Sequence, residues 1–214
     1  MTRLTRQHMY DYVASALATP VSVDYNEDTV APFLANIPAV LTNDLLLIMF
    51  VFGSAGGTVG ATPAGWTELI PGTPYGIYKW VTADAAATTV NMNLTGTGDP
   101  CFTVMLIRNA NIGQNPEATV NEETGTISAP DPPVIDPSWG ASRALYVLYC
   151  GTSAGSADVT GAPSGYALFE ANGGSNGTSG IAITISADSA ANNPGPWTLA
   201  LPAALARTFS IAIR

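Results

Sequence analysis

Two short apolar runs, "LLLIMFVFG" at residues 45–53 and "ALYVLYCG" at residues 144–151, limit the possible folds of this chain more than any other feature. A run this short and this uniformly apolar, closed by glycine, reads as a strand covered on both faces; a helix would need a longer periodic segment. About twenty residues after each run comes the same pattern, Pro-small-Gly-aromatic, as "TPAGWTEL" (62–69) and "APSGYALF" (162–169). Leu46 to Trp66 spans 20 residues, and Leu145 to Tyr166 spans 21. Each half then closes on a strand that ends in arginine, "MLIR" at Arg108 and "IAIR" at Arg214. The chain therefore reads as two similar halves, about 43–110 and 143–214, joined by a proline-rich, polar connection over 111–142 with a strand near "TGTIS".

Between these landmarks the signals are those of strands. "GIYKWVTA" (76–83), "TTVNMNLTG" (88–96) and "SGIAITISA" (179–187) alternate apolar and polar residues, and "CFTVMLIRNA" (101–110) is a further buried run. Gly, Pro, Asn and Ser separate them at the spacing of an all-β antiparallel β-sandwich or jelly roll. Half a sandwich of about 90 residues would leave its inner face uncovered, so a single core shared by both halves is the expected solution. In the repeated turn, Pro restricts φ and Gly supplies a conformation that other residues resist. Trp66 and Tyr166 are then expected to enter strands and pack across the inner faces.

The first 52 residues contain no glycine, whereas all 21 glycines lie from Gly53 onward. Residues 3–18 place Leu4, Met9, Tyr12, Val13, Ala16 and Leu17 near helical spacing, with Pro20 as a stop. A short N-terminal helix or an extended arm fits that pattern, and it divides the chain into an attachment element over 1–30 and a sandwich over 31–214. Arg3, Leu4, Arg6, Met9, Tyr10, Tyr12 and Val13 are the candidate assembly contacts of that element.

The composition excludes several classes of function. With 47% hydrophobic and 11% charged residues, the chain can bury a real core. Its net charge of −9 repels nucleic acid, whose binding rests on Lys and Arg neutralising phosphates. The eight residues of "LLLIMFVF" are far short of the roughly 20 needed to span a bilayer as a helix, so no membrane insertion is expected. His8 and Asp11 interrupt what would be the apolar part of a signal peptide.

Catalytic groups are scarce. His8 is the single histidine, and no nucleophile elbow accompanies it. Cys101 and Cys150 lie inside apolar strand patterns, which favours two buried free thiols over a pair. No zinc or calcium spacing is present, so neither metal, cofactor nor catalytic residue is expected. A glycosidase would need two carboxylates facing one cleft, and most of the acids fall in loop patterns. Trp66, Tyr75, Trp80, Tyr166 and Trp197 are the candidate ligand-facing aromatics of a receptor- or glycan-binding module, which requires them to gather at one loop end.

The order "NDLLLIMFVFG", "TPAGWTEL", "GIYKWV", "VMLIRNA", "RALYVLYCG", "APSGYALF", "FSIAIR", together with the opening "TRLTRQHMYDYVAS", resembles a family of tailed-bacteriophage structural proteins. The resemblance covers nearly the whole chain. It implies a non-enzymatic virion component on the particle exterior, a capsid decoration or head-fibre protein, with a tail-associated receptor- or glycan-binding module as the alternative. It further implies the major capsid or tail proteins as partners, a homo-oligomer such as a trimer, and assembly into the virion in the host cytoplasm. No active-site residue is carried over with it.

Overall fold

In the computed structural model, which describes residues 18–27, 29–53, 56–140, 142–153, 157–174, 176–186 and 191–214, every regular element among those residues is a strand. The first half holds β1 (Thr19–Glu27), β2 (Leu34–Ile37), β3 (Leu45–Phe52), β4 (Gly57–Val59), β5 (Thr67–Ile70), β6 (Thr73–Trp80), β7 (Thr88–Asn91), β8 (Leu94–Gly96) and β9 (Pro100–Arg108). The second half holds β10 (Glu117–Ile127), β11 (Ala144–Ser153), β12 (Val159–Gly161), β13 (Ala167–Gly173), β14 (Gly177–Ser186), β15 (Thr198–Leu199) and β16 (Ala203–Ile213).

The two large sheets have the same plan. Their strand orders are β1-β9-β3-β6-β5 and β10-β16-β11-β14-β13, all antiparallel. The small sheet β4-β8 has its counterpart in β12-β15, and the β2-β7 pair is reduced in the second half to one bridge between Ile135 and Asn192. The repeat is thus longer than the sequence pattern marks. It begins at β1 and β10, so β10 belongs to the second sheet and is more than a connection, and residues 19–27 belong to the first sheet rather than to an attachment element. The polar side chains of β10 hid its role: on an edge strand only one face needs to be apolar.

The sheets stack face to face, and the all-β antiparallel sandwich expected from the sequence is what forms. Leu45, Leu47 and Met49 of β3 point inward to meet Leu145, Val147 and Tyr149 of β11, with Phe209, Ile211 and Ile213 beside them. The alternate residues Leu46, Ile48 and Phe50 point outward into a separate core roofed by residues of β2, Met92 and Leu94. The second sheet's outward residues, Tyr146, Leu148 and Cys150, meet Ile135, Val159 and Trp197. A strand with a core on each side can be apolar at every position, which explains the two runs that opened the sequence. The segment "TTVNMNLTG" is broken into β7 and β8 rather than forming one strand, with Asn93 between them in a left-handed conformation at φ 53°.

The repeated turn is realised identically in both halves. The Trp66 amide donates to the Pro63 carbonyl at 3.1 Å, and the Tyr166 amide to the Pro163 carbonyl at 3.1 Å. Gly65 (φ 78°) and Gly165 (φ 85°) occupy the third position, where positive φ is needed.

Candidate functional site

Register decides where the aromatic that follows each turn points. Thr67 pairs with Tyr78, which places Trp66 beside Lys79 on the next strand, and Lys79 in turn faces Leu46. Leu46 is an outward residue, so Trp66 packs on the outer core of the first sheet and not across the inner faces as expected. Tyr166 does the same on the outer face of the second sheet. The turn carries its aromatic back over the strand pair instead of into the shared core.

The five candidate aromatics consequently do not gather at one end. Trp66 and Tyr166 lie on opposite outer faces with both sheets between them. Tyr75 touches both the inner and the first outer core, and the Arg207 guanidinium carbon stacks 3.3 Å from the centre of its ring. Trp80 packs on the inner core. Trp197 is fully buried in the second outer core. The candidate assembly residues Arg3, Leu4, Arg6, Met9, Tyr10, Tyr12 and Val13, the expected helix or arm, and His8 lie outside the described residues.

Trp66 borders an open cleft. Trp66 and Lys79 form one side of a space of about 290 Å³, with Ile37, Val40, Leu46 and Val81 as its apolar walls. Thr82, Thr88 and Thr89 are exposed residues along it. The Lys79 Nζ sits 6.0 Å from the Trp66 ring centre, at the outer limit of a cation–π contact. Lys79 is the single lysine of the chain and makes no ion pair with any described residue. Nearby carboxylates are engaged elsewhere. Asp84 accepts from the Thr42 amide at 2.6 Å and its hydroxyl at 2.8 Å, and Glu68 accepts from the Thr62 hydroxyl and the Gly72 amide. Sequence reading passed over Lys79; its being the only lysine was the available signal.

Titratable groups, some buried and some partly exposed, collect at two corners between the sheets. At the first, Glu27 Oε1 accepts from the Asn176 and Gly177 amides at 3.1 and 3.2 Å, with the Tyr25 hydroxyl 3.0 Å away. Cys101 Sγ lies 3.7 Å from the same oxygen. Burial pushes the Cys101 thiol up to about 12, the Glu27 charge adds to that rise, and the Tyr25 hydrogen bond opposes it. Tyr25 is likewise raised, by burial first and by its acidic neighbours second. At the second corner Arg207, 4% exposed, pairs with Glu122. Away from this corner, in the second outer core, Cys150 is raised by burial. Both cysteines are free and buried, so neither presents a thiolate near neutral pH. Among the described residues no group of three or more His, Cys, Asp or Glu is placed to hold a metal ion, and no helix is long and apolar enough to cross a membrane.

The chain matches no family model, no curated protein and no solved structure.

Proposed function

We propose that this chain is a non-enzymatic structural protein of a tailed-bacteriophage particle, carried on the exterior as a capsid decoration or head-fibre component. One observation carries the reading. The motifs whose order resembles phage structural proteins fall at equivalent places in two halves of one duplicated sandwich, as central strand, turn and closing strand. Their recurrence as equivalent elements supports reading them as one ordered pattern. Its partners are other virion proteins, and the acidic charge suits a surface that faces solvent rather than packaged DNA. Attachment is assigned to residues 1–17, since β1 starts at Thr19 and is needed by the first sheet.

Gold-labelled antibody against this chain, applied to intact particles, tests the proposal. Label over the head is the expected result. Label confined to the tail would favour the tail-associated alternative, and unlabelled particles would overturn both. Removing residues 1–17 should leave the circular dichroism of the sandwich intact while abolishing incorporation; normal incorporation would refute the assigned attachment element.

A further inference from the structure

Matching the two halves by register shows that one outer-face position is filled by different side chains in the two halves. Leu45 pairs with Ile107 and Leu145 with Ile213, so Leu46 and Tyr146 are equivalent, as are Trp66 and Tyr166, and Lys79 and Thr184. Leu46 and Tyr146 are both buried, at 2% and 1% exposed, but in the second half the Tyr166 hydroxyl also donates to Asn192 Oδ1 at 2.6 Å, beside the bridge that stands in place of the β2-β7 pair. Trp139 packs on the same cluster. The first half has the shorter Leu46 in place of Tyr146, and Trp66 has no hydroxyl with which to reach the opposite wall. Beside Leu46 and Trp66 lies the cleft of about 290 Å³.

We propose that this cleft binds a single six-membered ring that carries a carboxylate. The size, close to the lower bound of roughly 300 Å³ for small-molecule sites, admits one ring and little more. The indole of Trp66 and the aliphatic walls favour a ligand with a flat apolar face. Lys79 supplies the charge preference. It is the only ammonium side chain in a chain of net charge −9, and Asp84 and Glu68 are already held by Thr42, Thr62 and Gly72. A carboxylate reaching Lys79 gains a charge-assisted hydrogen bond. The ring belongs either to a hexuronic acid unit of a glycan or to an aryl carboxylate, which share this chemistry. The inference concerns the cleft alone and holds wherever the chain is located.

The test is a nuclear magnetic resonance titration of the full chain. It follows the Trp66 indole N–H signal, identified by its loss in Trp66→Phe. The probes are glucuronate and benzoate, with glucose and benzyl alcohol as their uncharged counterparts. At least one carboxylate should shift the signal saturably, with a dissociation constant on the order of millimolar for so few atoms. The uncharged counterpart should bind about tenfold more weakly, as should the carboxylate to Lys79→Met, while Lys79→Arg retains binding. Response to glucuronate alone identifies a glycan acid; response to benzoate alone, or to both, identifies aryl acids as ligands. Equal response to charged and uncharged rings, unchanged binding by Lys79→Met, or no saturable shift would each overturn the proposal. If Lys79→Met fails to fold, the comparison of charged and uncharged probes on the wild-type chain decides the matter.

Discussion

The two corners between the sheets occupy equivalent places and solve the same problem differently. Glu27 pairs in register with Cys101, and Glu122 with Arg207, so each sheet brings a carboxylate to the same point of its edge strand. In the second half the carboxylate meets a cation of its own half, and Tyr75 of the first half covers the guanidinium. In the first half the partner position holds a thiol, and the carboxylate is met by backbone amides of the β13–β14 turn from the other half. Glu122 is therefore neutralised locally, whereas Glu27 links the halves. Glu27 is half-buried and Glu122 exposed, and the fold does not prescribe whether the donors that meet such a carboxylate are charged.

Breaking the first corner should have the largest effect. Glu27→Ala removes this acceptor from the part-buried Asn176 and Gly177 amide hydrogen bonds, and since a fully buried orphan costs about 1–3 kcal/mol the loss should be about 2 kcal/mol. Denaturant unfolding measures it, and a cost under about 1 kcal/mol would show that water serves the turn equally well. Arg207→Met should cost less, about 1 kcal/mol. The ion pair has a half-exposed partner, the Arg207 Nη1 is buried without a partner, and methionine keeps the apolar contact with Tyr75. Equal costs for the two variants would make the corners energetically the same and remove the contrast.

Around neutral pH the ionisation of Cys101 should give stability no pH dependence, and this is the smallest effect. Its folded value near 12 lies above the ordinary 9.0, so the folded state favours the protonated thiol. That contribution is fully present below pH 9.0 and is lost as pH climbs toward 12. Iodoacetamide at mildly alkaline pH should modify Cys101 in denaturant and leave it untouched in the folded chain. Rapid modification of the folded protein would mean that the first corner is open to solvent.

The inner packing shows the same division of labour between equivalent positions. Met49 and Tyr149 are equivalent, as are Thr103 and Phe209, and Gly76 and Ile181. A Cβ on Gly76 would come within 3.0 Å of the Phe209 ring, so the first half gives up a side chain where the second supplies a large one. Thr103 crosses the interface to Ser179 with a buried hydrogen bond of 2.8 Å. Complementarity of this kind cannot be read from either half alone, because each residue's partner lies in the other half.

The amino-acid sequence by itself determined that the chain is all-β, that it is duplicated, and that "LLLIMFVF" and "ALYVLYC" are its central strands. Those properties follow from local period and turn chemistry, which neighbouring residues carry together. It also placed Gly65 and Gly165 in equivalent turns. Only the tertiary structure decided that β1 and β10 begin the repeat, because edge strands need only one apolar face and leave a weak pattern. Tertiary structure likewise sent Trp66 and Tyr166 to the outer faces, since a shift of one position in register moves every side chain across a sheet. The cleft beside Lys79 is lined by Leu46, where the other half carries Tyr146, and both are buried core residues. A cavity is set by the volumes of side chains that meet in space, and that sum is taken only when the chain has folded.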